Sequence, residues 1–204
     1  MCGLKLDEEG RALASGGNDD LLCICDTAMW NRRSGISQLP QDAGSISPRL
    51  MLTDHKAAVK ALDWCPSKRG LLASGGGSAD RCIKFWDPST GKMKRSIDRL
   101  SDFVAIVWSK SSDELCSAHG YTENPLIVWD YTTMSKLQEL KEHKDRVLNM
   151  ELSPNGSTVA SVGADEVLML WDVFGSPPSK RSRGFEKFSS MMGEGAIPGM
   201  SVIR

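Results

Sequence analysis

The dipeptide Trp-Asp closes three short apolar runs at a nearly constant interval. The runs are Ile83-Lys84-Phe85-Trp86-Asp87, Leu126-Ile127-Val128-Trp129-Asp130 and Leu168-Met169-Leu170-Trp171-Asp172. Their tryptophans stand 43 and 42 residues apart. A remnant, Leu22-Cys23-Ile24-Cys25-Asp26, lies upstream with Cys25 in the Trp place, 61 residues before Trp86. The extra length falls in residues 31–47, rich in Ser, Gly, Pro and Gln, which read as a surface insertion. A repeat of about 40 to 45 residues ending in Trp-Asp marks a β-propeller blade of four short strands.

One period supports that reading in detail. Residues 58–64, 71–74, 82–86 and 93–97 predict four strands. Gly75-Gly76-Gly77-Ser78 and Asp87-Pro88-Ser89-Thr90-Gly91 predict turns between them. The pattern returns over residues 103–140 and 147–171, and Leu4, Leu13 and Ile24 mark a blade at the start. The expected fold is all-β: a partial WD-repeat propeller of about four blades over 1–174. Its blades run roughly over 2–53, 54–97, 98–140 and 141–174. Residues 175–204, rich in Ser, Gly, Pro and Met, read as a flexible, disordered tail.

Composition limits the function classes. The chain is 40% hydrophobic and 25% charged, with a formal net charge of -1, so no basic field points to nucleic acid. No apolar stretch is long enough to span a bilayer, and the N-terminus lacks the apolar core of a secretory signal. The expectation is an intracellular protein, in nucleus and cytoplasm, with no membrane or nucleic-acid partner. The cluster Lys180-Arg181-Ser182-Arg183 fits a nuclear address or a solvated linker equally. Cys2, Cys23, Cys25, Cys65, Cys82 and Cys116 read as reduced, buried thiols. Cys23 and Cys25 lack the second nearby pair that a zinc site wants, so neither metal nor cofactor is expected.

Ser, His and Asp together invite a hydrolase reading. His55, Ser74, Asp80 and Trp86 form one such set, and His143, Ser161, Asp165 and Trp171 repeat it. Duplication at equivalent places in two repeats favours a structural staple. In such a staple Asp bonds His, His bonds Ser and Ser bonds the Trp indole, so every polar group is satisfied. No G-x-S-x-G elbow accompanies the set. No catalytic residue and no enzyme is expected. The first blade has lost its Trp, and the third lacks the His.

Several stretches go beyond a generic repeat. They include residues 13–19 (LASGGND), 55–66 (HKAAVKALDWCP), 72–77, 80–86, 117–121 (SAHGY), 146–148 and 153–171, and the chain ends in Ile203-Arg204. Together these resemble the Fizzy family, WD-repeat activators that recruit substrates to the anaphase-promoting complex, a ubiquitin ligase. The resemblance covers residues 2–174 and the last two.

The resemblance implies a seven-bladed parent propeller that captures short degradation motifs. Positions matching the KEN-motif site are Asn18, Asp20, Ser78, Asp102 and Arg146. Arg146 suits a carboxylate, and the others can read polar side chains of an extended peptide. Asp20 stands where the family usually has Asn, and Asp102 where Gln is usual; both added carboxylates should weaken capture of a Glu. Glu166 matches the acidic residue of the D-box site, whose other wall comes from a blade absent here. Ile203 and Arg204 resemble the family's terminal tail, which docks on a helical-repeat subunit of the ligase. The chain is expected to open in the middle of the family's propeller, without the N-terminal ligase-binding arm. Its last blade is expected to lack a fourth strand, which an N-terminal segment supplies in the family. An open arc should expose strand edges and blade faces. The expected function is a substrate-recruiting adaptor; the alternative is a truncated, decoy or non-functional WD scaffold.

Overall fold

The computed structural model describes residues 2–28, 47–98, 101–120, 124–175 and 200–203. Four four-stranded sheets follow one another along the chain. The first holds β1 (Gly3–Leu6), β2 (Ala12–Gly16), β3 (Leu22–Asp26) and β4 (Leu50–Leu52). The second holds β5 (Val59–Trp64), β6 (Leu72–Gly76), β7 (Cys82–Asp87) and β8 (Lys92–Asp98). The third holds β9 (Phe103–Trp108), β10 (Glu114–His119), β11 (Leu126–Asp130) and β12 (Lys136–Leu140). The fourth holds β13 (Val147–Leu152), β14 (Thr158–Gly163), β15 (Leu168–Asp172) and β16 (Met200–Ile203). The insertion read at 31–47 lies almost wholly outside the described residues, as does the basic cluster at 180–183.

The first strand of each sheet packs on the first strand of the next: β1 on β5, β5 on β9, β9 on β13. These inner strands surround an axial cavity of about 210 Å3, whose wall includes Gly3, Lys60, Ala105 and Asn149. A blade therefore buries both faces, and its strands are apolar on both; β7 and β11 bury four residues in succession. Three apolar clusters fill the three blade-to-blade interfaces. Ile24, Leu72 and Trp86 belong to the first, Phe85, Trp108 and Trp129 to the second, and Val128, Met150 and Trp171 to the third. The first interface needs glycine. A Cβ on Gly16 would stand 2.1 Å from the Val59 carbonyl oxygen, and one on Gly3 would stand 2.3 Å from that of Lys60.

Alternation decides what the first blade leaves open. Leu4 pairs with Ser15, Ser15 with Cys23 and Cys23 with Met51, so all four point to one side. That side faces away from the second blade. Leu4 is 54% exposed and Met51 57%. Cys23 and Cys25 share it and are half-buried, which corrects the expectation of buried thiols: only Cys65 and Cys116 are fully enclosed. Burial pushes the Cys116 thiol up to about 12.

The last blade differs from expectation. It does have a fourth strand, drawn from the segment read as a disordered tail. β16 pairs with β15 in parallel, Leu168 opposite Met200 and Trp171 opposite Ile203. Among the described residues every other strand pair is antiparallel. Backbone pairing needs only an extended segment beside an open edge, so composition gave no warning of it.

Candidate functional site

Two groups of residues are candidates: the buried Ser, His and Asp sets, and the loops at one end of the inner strands. In the second blade, His55 reaches Ser74 Oγ through Nε2 at 2.6 Å and Asp80 through Nδ1 at 2.5 Å. The Trp86 indole donates to Ser74 Oγ at 2.7 Å. In the fourth blade His143 reaches Ser161 Oγ at 2.7 Å and Asp165 at 3.0 Å, and Trp171 donates to Ser161 at 2.8 Å. Each His ring lies tilted beside its Trp, with centroids 5.9 and 6.2 Å apart. Ser74 and Ser161 are fully enclosed, and each hydroxyl is already engaged by His and Trp. Such a hydroxyl has no access to a substrate. The sets tie the loop before the first strand of a blade to its second and third strands.

The two sets are not identical. Lys84 is buried in the second, its ammonium donating to Asp80 at 2.7 and 2.9 Å. Burial alone would raise the Asp80 pKa, but the hydrogen bonds from Lys84 and His55 outweigh it and hold the carboxyl below its usual value. Burial holds His55 below its usual pKa, with the Lys84 charge adding to the effect and Asp80 opposing it. In the sequence Lys84 stands as one polar residue of an apolar run, with no spacing that marks it.

The third blade was expected to lack the His. It has one from another place. His119 lies on β10, two residues after Ser117, and its Nε2 meets Ser117 Oγ at 2.9 Å. Trp129 donates to the same hydroxyl at 2.8 Å. Two residues apart on one strand, Ser117 and His119 point to the same side, and the ring lies against Phe103 at 4.8 Å between centroids. Burial pushes His119 down to about 4, against a pull from Glu139. The ring is therefore neutral near pH 7, and no carboxylate is needed beside it.

The second group stands on loops. β1 begins opposite the end of β2, since Gly3 pairs with Gly16, so the β2–β3 turn lies at the starting end of the inner strands. The β6–β7 and β14–β15 turns lie there by the same register, with Val59 opposite Gly76 and Val147 opposite Gly163. Asn18 and Asp20 occupy the first of these turns, Ser78 the second and Glu166 the last. Asp102 and Arg146 precede β9 and β13 at the same end. The topology thus brings all six to one rim, around the mouth of the axial cavity.

The rim backbone is specialised. Asp20 and Glu166 have φ of 64° and 61°, the left-handed conformation of tight turns, which Asp tolerates better than most residues other than Gly. Asn18 accepts from Cys2 Sγ at 2.8 Å, which fixes its amide over the start of β1. Asn18, Ser78, Arg146 and Glu166 are exposed, and Asp20 and Asp102 are half-buried. One Asp102 oxygen is shielded from solvent and makes no hydrogen bond. Ile203 stands within β16, and Arg204 lies outside the described residues.

Comparison with known proteins settles the lineage. The model "WD domain, G-beta repeat" matches residues 46–87 and 134–172. The chain is 45% identical over 187 residues to "Cell division cycle 20.5, cofactor of APC complex" of Arabidopsis thaliana, covering 92% of this chain and 40% of that protein. It is 45% identical to "Protein FIZZY-RELATED 2" of Arabidopsis thaliana, over 89% of this chain and 34% of the relative. The chain belongs to the Fizzy family. Another member, "B-type cell cycle switch protein ccs52A" of Medicago truncatula, is 45% identical over 89% of this chain and 35% of its own length. The Fizzy-family chain therefore spans about two-fifths or less of these relatives. A chain in the crystal structure of the Mitotic Checkpoint Complex superposes with a TM-score of 0.74 at 36% identity, over 85% of this chain and 49% of that one.

Proposed function

We propose that this chain is a substrate-recruiting adaptor of the anaphase-promoting complex, acting in nucleus and cytoplasm. The rim reads degradation motifs: Asn18, Asp20, Ser78, Asp102 and Arg146 take the KEN motif, and Glu166 takes the Arg of a D-box. Ile203 and Arg204 dock on the helical-repeat subunit of the ligase. The chain has no catalytic role of its own. The observation that carries this reading is the 45% identity, over 92% of the chain, to a relative named as a cofactor of the APC complex. The rim geometry supports it, because a ring of short loops presents polar side chains to an extended peptide from several directions.

The test is capture of the ligase by this chain with and without Ile203 and Arg204, joined to peptide binding by rim variants. Capture that depends on the two residues supports ligase docking. Arg146→Ala should weaken the KEN peptide about tenfold, as expected for loss of a charge-assisted hydrogen bond. Glu166→Ala should weaken a D-box peptide and leave the KEN peptide alone. Tail-dependent capture with no peptide binding would turn the reading to a decoy that occupies the ligase. No capture by either form would leave a WD scaffold without this partner.

A further inference from the structure

We infer that β16 is an autoinhibitory latch: the edge of β15 holds the chain's own C-terminal strand and keeps its last residues from a partner. The latch is a backbone ladder, Leu168 to Met200, Met169 to Ser201, Leu170 to Val202 and Trp171 to Ile203. A residue held in such a ladder has one backbone edge occupied and its chain direction fixed. It cannot at the same time lie extended in a groove elsewhere. That the released end serves the ligase rests on the function proposed above; the latch itself does not.

Three features make this ladder the one most readily exchanged. Parallel pairing is slightly weaker per residue than antiparallel, and this is the one parallel pair among the described strands. β7 reaches β8 through four residues and β11 reaches β12 through five, whereas 27 residues separate β15 from β16. The entropy cost of closing a connection grows with the logarithm of its length, so the longer one is held more loosely. Finally, β15 becomes an edge once β16 leaves, with polar groups set for an added strand, and an antiparallel segment there would match the other three blades. An extended peptide strand is thus the kind of partner that would displace β16 and free the chain end.

Hydrogen exchange on the full chain tests the latch directly. Successive residues of a strand point their N–H groups to opposite edges, so prolines at two adjacent positions remove whichever donor faces β15. The double variant Ser201→Pro, Val202→Pro therefore opens the ladder and leaves Ile203 and Arg204 in place. Amides of Leu168 to Trp171 that do not bond to β14 should exchange about tenfold faster in the variant, while those of β13 and β14 stay unchanged. A synthetic peptide of residues 198–204, added to the variant, should restore the slow exchange. Equal exchange in both forms would overturn the latch. Ligase capture should rise in the variant; exchange that changes without such a rise would overturn sequestration of the tail. Capture absent from both forms, with exchange still different, would remove the ligase reading and leave the latch standing.

Discussion

The Lys84 ammonium lies 2.7 Å from Asp80 Oδ1, in a place that Met169 holds in the fourth blade. The same fourfold staple thus carries a buried cation in one repeat and none in another. The consequence is unequal dependence on the acid. Asp80→Ala leaves Lys84 and His55 3.4 Å apart with no counter-charge, and removing one partner of a buried ion pair costs about 3 to 5 kcal/mol. Asp165→Ala removes a partner of His143 and of two backbone amides, a loss of about 1 to 3 kcal/mol. Urea unfolding of the two variants measures the difference. Equal losses would contradict the role given to Lys84.

Asp63 predicts a pH dependence of opposite sign to the usual carboxylate. It accepts the Trp108 backbone N–H at 2.8 Å and lies 3.5 Å from Lys5, near Glu151. Burial pushes its pKa up to about 6, against the pull of Lys5 and the Trp108 amide. The folded chain therefore binds this proton more tightly than the unfolded chain. Its contribution is present below the unfolded value and is lost as pH rises through about 6. Between those limits wild type should lose stability relative to Asp63→Asn, whose side-chain oxygen can still accept from Trp108. Denaturation midpoints of both forms across this range give the answer, and parallel curves would refute it.

His119 should behave in the opposite sense. Its folded value of about 4 lies below that of a free imidazole, so stability is lost as pH falls from about 6.5 toward 4. Its ring resonances should show a mainly neutral imidazole at pH 5. His119→Ala should lose about 2 to 3 kcal/mol, since Ser117 keeps only Trp129 and a cavity opens beside Phe103.

The rim carries a gain-of-function prediction. If Asp20 and Asp102 face the Glu of a KEN peptide, neutralising them should strengthen binding. The double variant Asp20→Asn, Asp102→Gln should bind a KEN peptide on the order of tenfold tighter, mainly at low salt. The shielded, unpaired Asp102 oxygen makes this position the more sensitive of the two. Unchanged affinity in calorimetry would place the carboxylates away from the peptide.

Much of this fold was legible because a blade writes itself locally. Trp86, Trp129 and Trp171 stand next to last in their third strands, and the Ser, His, Asp and Trp of the second and fourth blades meet. What escaped was non-local or displaced. His119 serves Ser117 from two residues away, not from the preceding loop, so no fixed spacing revealed it. Lys84 stands in the sequence as one polar residue of an apolar run, and only the fold brings it against Asp80 and His55. β16 joins an edge across a long connection, and four residues carry no pattern strong enough to announce a partner. The rim positions came from family resemblance; the topology adds that their loops share one end.

The inner strands have a consequence for how such a surface changes over time. Neighbouring positions on the rim are encoded far apart: Asn18, Ser78, Asp102 and Glu166 come from different repeats. Each loop rises chiefly from strands of its own repeat, although across the first interface the Val59 N–H also donates to the Gly17 carbonyl. A mutation in one turn can therefore retune one part of the recognition surface without disturbing the rest. Duplicated copies of the gene can drift apart in what they hold, one loop at a time, while the buried lattice below stays the same.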